Sequence, residues 1–227
     1  MRFKAYASSS AGNLYSVEAA DGTRLLLECG LPLRQIQAHL GHTLSGVAGV
    51  LATHSHKDHS WAAKDLLRRG VPVYCSAGTA LELGLSGFRV MRAGAQVQIG
   101  GVAVMALEAQ HDAPEPLAYV LDDGQDRLLF ATDTAYLGWR MAGLTMVAVE
   151  ANYAVDLLPD DMHPAQRRRL VHSHMGLGDA LELLGSTDLS RVREIHLLHL
   201  SASHSDAERF QAAVAGATGI PTYVAPE

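Results

Sequence analysis

The segment His54-Ser55-His56-Lys57-Asp58-His59 carries the clearest chemical signal in the chain. Imidazole nitrogens and carboxylate oxygens suit zinc and other borderline divalent cations. The apolar run Val47–Ala52 directly before the segment reads as a buried strand, so one strand end delivers four potential ligands on a tight loop. Alternation points His54 and His56 the same way, with Asp58 and His59 pointing elsewhere. One loop can then serve two neighbouring cations. The chain has 12 histidines, and three of them gathered directly behind a buried strand exceed what an ordinary polar loop requires.

Other elements must hold that loop. Short apolar runs bounded by Gly, Pro, Asp or Ser alternate with longer helical patterns. Strands are predicted at Arg2–Ala7, Asn13–Val17 and Arg24–Glu28, with Asp21-Gly22 as a hairpin turn, and Pro32 opens a helix through about Leu40. After the motif loop, a helix is predicted from about Ser60 to Arg69, a strand at Val71–Cys75 and a helix at Ala77–Leu83. Strands follow at Phe88–Met91, Gln96–Ile99, Val102–Ala109, Leu117–Leu121, Arg127–Ala131 and Met146–Glu150. Helices at Pro164–Val171 and Gly178–Leu184 precede a strand at Ile195–Leu198. A last helix, Asp206–Ala215, has Ala207, Phe210 and Val214 on one face, and Tyr223–Ala225 closes a sheet. Strands and helices interleave in both halves, as in two mixed sheets enclosed by helices.

Composition narrows the class. The 227 residues suit one domain; 48% are hydrophobic and 19% charged, the profile of a folded globular chain. The N-terminal segment lacks the apolar core of a signal peptide, and no stretch approaches the ~20 apolar residues of a membrane helix. Cys29 and Cys75 read as reduced thiols, so a cytoplasmic location is expected. A net charge of −6 argues against a broad basic nucleic-acid face. It leaves room for a phosphate substrate at a cation site, because bound cations invert the local sign.

With its motif loop, the chain resembles the metallo-β-lactamase superfamily nearly end to end. The family pattern calls for a later histidine, a bridging aspartate and a C-terminal histidine, each at a strand end. His111, Asp133 and His199 stand in that order behind predicted strands. The resemblance implies that His54, His56 and His111 hold one cation, that Asp58, His59 and His199 hold a second, and that Asp133 bridges them. It also implies an α/β fold, the αββα four-layer sandwich of two mixed sheets flanked by helices, with residues 1–227 as one domain. Two zinc ions are expected, with manganese as the alternative. Asp133 stands where the antibiotic-cleaving zinc enzymes have cysteine, and His56 where the di-iron branch has glutamate.

Three further segments resemble the YycJ/WalJ-like group: Ser8-Ser9-Ser10-Ala11-Gly12-Asn13, His111-Asp112-Ala113-Pro114-Glu115-Pro116 and His199-Leu200-Ser201, with His204 where an asparagine is common. Glu150 and His174 resemble the pair that assists the leaving group in the tRNA 3′-processing endonuclease, a glutamate steering a histidine that donates a proton. Asp58 is expected to orient the attacking water besides binding a cation. Ser201 and Arg169, the latter in the run Arg167-Arg168-Arg169, are candidate substrate contacts. One departure is Glu28-Cys29-Gly30, where the family has Asp-x-Gly; a residue there supports the metal loop from behind.

The expected activity is dinuclear-metal phosphodiester hydrolysis by a nuclease acting on single-stranded nucleic acid. The alternatives are hydrolysis of a small cyclic or linear phosphodiester, or of a thioester or lactone; a metal-stabilised binding scaffold is the non-catalytic reading. The expected partner is therefore nucleic acid or a small phosphodiester, and fold-level analogy allows a homodimer.

Overall fold

A computed structural model describes residues 1–139 and 141–227. The first half contributes β1 (Arg2–Ser9), β2 (Gly12–Glu18), β3 (Arg24–Leu27), α1 (Leu33–His39), β4 (Val47–Leu51), α2 (Lys57–Ser60), α3 (Ala63–Arg68), β5 (Val73–Cys75), α4 (Ala77–Leu83) and β6 (Arg89–Val90). The second contributes β7 (Gln96–Ile99), β8 (Val102–Glu108), β9 (Leu117–Asp122), β10 (Arg127–Ala131), β11 (Met146–Glu150), α5 (Pro164–Ser173), α6 (Leu177–Ser186), β12 (Glu194–Leu198), α7 (Ala207–Thr218) and β13 (Thr222–Val224). The strands form two mixed sheets, ordered β1-β2-β3-β4-β5-β6 and β13-β12-β11-β10-β9-β8-β7.

The strand sequences explain the layering. A strand buried on both faces is apolar throughout, and alternate residues then serve different cores. In β3, Leu25 and Leu27 face the space between the sheets, where they join Tyr119, Phe130 and Met146. Leu26 faces the other way, with Val50, Ile36 of α1 and Leu66 of α3. In β10, Leu128 and Phe130 enter the central core, and Leu129 and Ala131 join Leu184 of α6 and Phe210 and Val214 of α7. Helix, sheet, sheet and helix therefore stack in that order, the αββα sandwich expected from sequence.

Strand direction determines where the chemistry collects. β3 and β4 are parallel, as are β10, β11 and β12. β8 runs antiparallel to β9, and β9 antiparallel to β10, so β8 and β10 share a direction. Glu28, the His54 segment, His111, Asp133, Glu150 and His199 all lie at or just beyond the carboxyl ends of these strands. Ligands in open α/β sheets collect at such ends.

Two local features depart from expectation. Pro72 precedes a strand shortened to Val73–Cys75, and its carbonyl accepts from Val50 N–H at 2.9 Å. The helix predicted from Ser60 to Arg69 begins inside the motif instead. His56 caps it, and His59 and Ser60 N–H both donate to the His56 carbonyl at 3.0 Å. The Ser60 hydroxyl donates to the carbonyls of Ser55 and His56, tightening the turn. Ala62 N–H then donates to Cys29 O, and a second helix, α3, starts at Ala63. Asp58 and His59 thus sit on a helical turn rather than an open loop. Gly30 allows it: a Cβ there would stand 1.6 Å from the Asp58 carbonyl oxygen, so only glycine lets the two backbones touch.

Candidate metal centre

Asp133 is the hub of the strand-end cluster. It lies just beyond β10, is 3% exposed and adopts a left-handed backbone with φ 46°. One carboxylate oxygen, Oδ2, lies 3.4 Å from His59 Nε2, 3.5 Å from His111 Nε2 and 3.9 Å from His54 Nε2. The other, Oδ1, lies 3.2 Å from His199 Nδ1. His199 also has a left-handed backbone, φ 51°. Non-glycine residues held there cost ~1–3 kcal/mol each, and such strain gathers at functional sites.

Two groups of donor atoms meet at Asp133. His54, His56, His111 and Asp133 place one donor atom each within 4.8 Å of one another, and Asp58, His59 and His199 do the same. The structure therefore brings together all seven residues the sequence nominates as ligands, with His54, His56, His111 and Asp133 in one group and Asp58, His59 and His199 in another. A further overlapping group joins Asp133 and His199 to Glu150 and His174.

The residues around each imidazole fix which nitrogen faces inward. His111 Nδ1 is bonded to the Ser173 carbonyl at 2.6 Å, and an oxygen acceptor there requires Nδ1 to carry the proton, leaving the Nε2 lone pair facing His56 Nδ1 at 3.1 Å and the Asp133 carboxylate. His54 Nδ1 pairs with the Thr53 hydroxyl at 2.9 Å. His54 Nε2 and His199 Nε2 are buried with no hydrogen-bond partner. Buried polar atoms are nearly always partnered, so unpartnered imidazole nitrogens beside a carboxylate have the character of ligands. The donor set, imidazole and carboxylate without thiolate, fits two borderline divalent cations.

The electrostatics separate the histidines. Burial, reinforced by His59, holds the His54 imidazole well below the usual range, and burial lowers His111 as well. Both are neutral, the form that binds metal. Burial also opposes charge on His59 and His199, but Asp133 and neighbouring carboxylates outweigh it. His59 lies well above the usual range, and His199 is pushed up to about 10. Burial alone would raise Asp133; the His199 and His59 imidazoles instead hold it well below the ordinary carboxylate range.

Glu150 ends β11 and is fully buried. Its Oε1 accepts from His174 Nδ1 at 2.7 Å and lies 3.2 Å from His199 Nδ1. Its Oε2 accepts from Thr134 and Met175 N–H, each at 3.0 Å. His174 closes α5 and is partly exposed, and Nδ1 is 3.9 Å from Asp133 Oδ2. Burial disfavours its charge, but Glu150 overcomes this and raises its pKa. With Nδ1 committed to Glu150, Nε2 is the nitrogen left for a substrate. His174 lines a cleft of about 730 Å³ with His163, Arg169 and His204.

The remaining candidates have other engagements. Arg169 Nε donates to Asp112 Oδ2 at 2.7 Å, tying α5 to the His111 loop, while the side chain stays largely exposed in the same cleft. Ser201 Oγ accepts from Ser203 and His204 N–H at 3.3 Å and organises its own turn. Glu28 stands behind His59, with Oε1 3.5 Å from His59 Nδ1 and Oε2 accepting from Thr53 N–H at 3.3 Å.

Sequence reasoning missed four supporting residues. Asn13 reaches His59 Nε2 at 3.1 Å, Asn152 donates to the His199 carbonyl at 2.8 Å, Ser8 accepts from His199 N–H at 2.8 Å, and Thr53 adjoins His54. Asn13 and Ser8 lie inside a segment already conspicuous in the sequence, and Asn152 stands two residues after Glu150, but nothing local shows which histidine each one meets.

Comparison with known proteins agrees with this layout. A family model described as a beta-lactamase superfamily domain matches residues 23–197. The exodeoxyribonuclease YycJ of Bacillus anthracis is 28% identical over 226 residues, spanning 92% of this chain and 85% of that protein. A ribonuclease Z of Methanopyrus kandleri is 33% identical over 106 residues, spanning 41% of this chain and 38% of that protein. The metallo-beta-lactamase fold protein YhfI of Bacillus subtilis shares the fold with a TM-score of 0.76 at 15% identity, over 99% of this chain and 96% of that one. Strand ends that converge on one aspartate and a family match over most of the chain reach the same conclusion: this protein belongs to the metallo-β-lactamase superfamily of metal-dependent hydrolases.

Proposed function

We propose that the protein is a dinuclear metal-dependent phosphodiesterase, a nuclease acting on single-stranded nucleic acid. The observation that carries this reading is the Glu150–His174 pair at the mouth of the cluster, 2.7 Å apart with the imidazole opening into a cleft. Cleaving a nucleic-acid diester expels a poor alkoxide leaving group, and that step needs a proton donor. The names carried by the Bacillus anthracis and Methanopyrus kandleri relatives, an exodeoxyribonuclease and a ribonuclease, support the same substrate class.

His54, His56 and His111 would hold one cation, Asp58, His59 and His199 the other, with Asp133 between them. When bound, two divalent cations supply Lewis-acid polarisation of the phosphoryl oxygens and acidify the attacking water. Asp58, fixed on the first turn of α2, orients that water by accepting its hydrogen bond. His174 delivers its Nε2 proton to the departing oxygen, and Glu150 holds the imidazole in register and favours its protonated form. Arg169 contacts a substrate phosphate through the guanidinium nitrogens that its bond to Asp112 leaves available. Zinc is the proposed cation, with manganese the alternative that reconstitution decides. Residues 1–227 act as one domain, since both sheets supply ligands and share the central core. Among the described residues no helix is long and apolar enough to cross a membrane. Cys29 and Cys75 are both buried and unpaired, which supports a reducing, cytoplasmic setting.

The test is His174→Ala, assayed on a labelled single-stranded oligonucleotide, its duplex form, a p-nitrophenyl phosphodiester and a lactone. The expected result is normal metal content and a loss of about 100-fold or more on the oligonucleotide. The p-nitrophenyl diester, whose leaving group departs without a proton, is affected far less. Equal loss on both diesters overturns the His174 role, and turnover of the lactone alone by the wild type overturns the phosphodiester reading.

A further inference from the structure

Beyond Asp133 the chain leaves the sheet in a loop that the chemistry above does not use. Its base is fixed against the His111 strand end: Ala135 N–H donates to Gln110 O at 2.9 Å, and Gln110 N–H donates to the Thr134 hydroxyl at the same distance. Leu137 is buried and anchors the loop. Tyr136 and Trp139 on either side of it are 64% and 41% exposed. Two aromatic rings with open faces, close in sequence and next to the cluster, offer a contact surface for a flat, apolar group.

Tyr136, Trp139, Glu108 and His111 line a cavity of about 630 Å³. The His174 ring lines the first cleft and the His111 ring lines this one, and the two rings are 5.2 Å apart. Both hollows thus open beside the cluster, close enough for one linear substrate to reach from one to the other. The two hollows differ in chemistry. The His174 side presents Arg169 and three histidines against one carboxylate, Asp161, a balance suited to a phosphate. On the aromatic side, among the described lining residues, the charged group is the Glu108 carboxylate, which repels phosphate and accepts hydrogen bonds from a base edge.

We propose that Tyr136 and Trp139 form a stacking platform for the nucleobase next to the scissile phosphate. This inference rests on the phosphodiesterase reading and adds to it the residues that recognise the strand. A base paired within a duplex has no free face to offer, so the platform selects single strands, and it does so with little regard to sequence because every base has a π face.

The chain has two tryptophans, Trp61 and Trp139, so Trp61→Phe leaves Trp139 as the only tryptophan reporter. The expected result is saturable quenching of its fluorescence in the metal-loaded protein by a cleavage-resistant phosphorothioate oligothymidylate, and no quenching by an abasic strand of equal length. In kinetics, Trp139→Ala raises KM for a single-stranded oligonucleotide about tenfold, the value of one stacked base. It leaves turnover of methyl p-nitrophenyl phosphate unchanged. Absence of quenching, equal quenching by the abasic strand, or an unchanged KM overturns the platform. Base-dependent quenching in Trp61→Phe, with a wild type that cleaves neither substrate, keeps the platform and overturns the phosphodiesterase reading instead.

Discussion

Glu28 and Glu150 are both fully buried, and both stand at strand ends behind histidines of the cluster, yet their surroundings set them apart. Glu150 collects four partners: two backbone N–H groups and two imidazoles. Glu28 has one backbone bond and a 3.5 Å approach to His59, and its Oε1 has no hydrogen-bond partner. Burial raises both carboxyls. At Glu28 it prevails and the pKa rises, whereas at Glu150 the His174 charge and the hydrogen bonds overcome it and the pKa falls. Burial alone therefore does not set the charge of a carboxyl; the number of donors turned toward it does. On the proposed function Glu150 is an ionised steering group, and Glu28 is a support that carries an unmet cost.

The sharpest way to break this contrast is Glu150→Gln. The amide keeps the shape but removes the charge that favours protonated His174. Oligonucleotide cleavage should fall about 100-fold. On the proposed mechanism the sign of the pH effect is fixed: His174 would donate below its raised pKa and lose that ability as pH rises through it. Without Glu150's charge, the alkaline limb of the rate profile should move to lower pH. A rate profile that drops without moving would show Glu150 to be structural only.

A smaller effect is expected in the stability of chelated protein. Glu150→Gln turns an amide N–H₂ toward donors that need an acceptor, at a cost of about 2 kcal/mol, or roughly 4–8 °C in melting temperature. The lowered folded pKa of Glu150 stabilises the wild type above the ordinary glutamate range, and that benefit fades as pH falls through the folded value. Glu28 has the opposite sign: its raised folded pKa favours the fold at acid pH, and this is lost as pH rises through that value. Glu28→Gln should therefore melt at or above the wild type at pH 8 and lose that advantage at pH 4. Parallel losses in both variants at pH 8 would erase the contrast.

The smallest effect is expected from Glu28→Asp. The shorter arm draws the carboxyl away from His59 Nδ1, and affinity for the second cation should weaken about tenfold by competition with a chelating dye. Unchanged or tighter binding would show that the longer side chain at this position supports nothing.

The clustering of the candidate ligands was readable because strands of one direction deliver residues to one edge in chain order, so His54, His111, Asp133 and His199 each follow an apolar run. The same alternation of apolar residues made the four layers legible, as in β3 and β10. What stayed hidden was tertiary. Ser8 meets His199 across 191 positions, and Arg169 meets Asp112 across 57, with no local pattern to announce either. The helical turn inside the motif was missed for the same reason. Its backbone rests on Gly30, a contact that exists only once β3 and the loop are side by side.

The left-handed backbone shared by Glu28, Asp133 and His199 (φ 65°, 46° and 51°) has a consequence for engineering. Glycine or asparagine would relieve each of these positions. A library selected for heat resistance alone would therefore drift toward those residues and discard the reactive centre. Selection that keeps them against that drift would reveal, position by position, which of the three the organism retains for what the protein does rather than for how well it holds together.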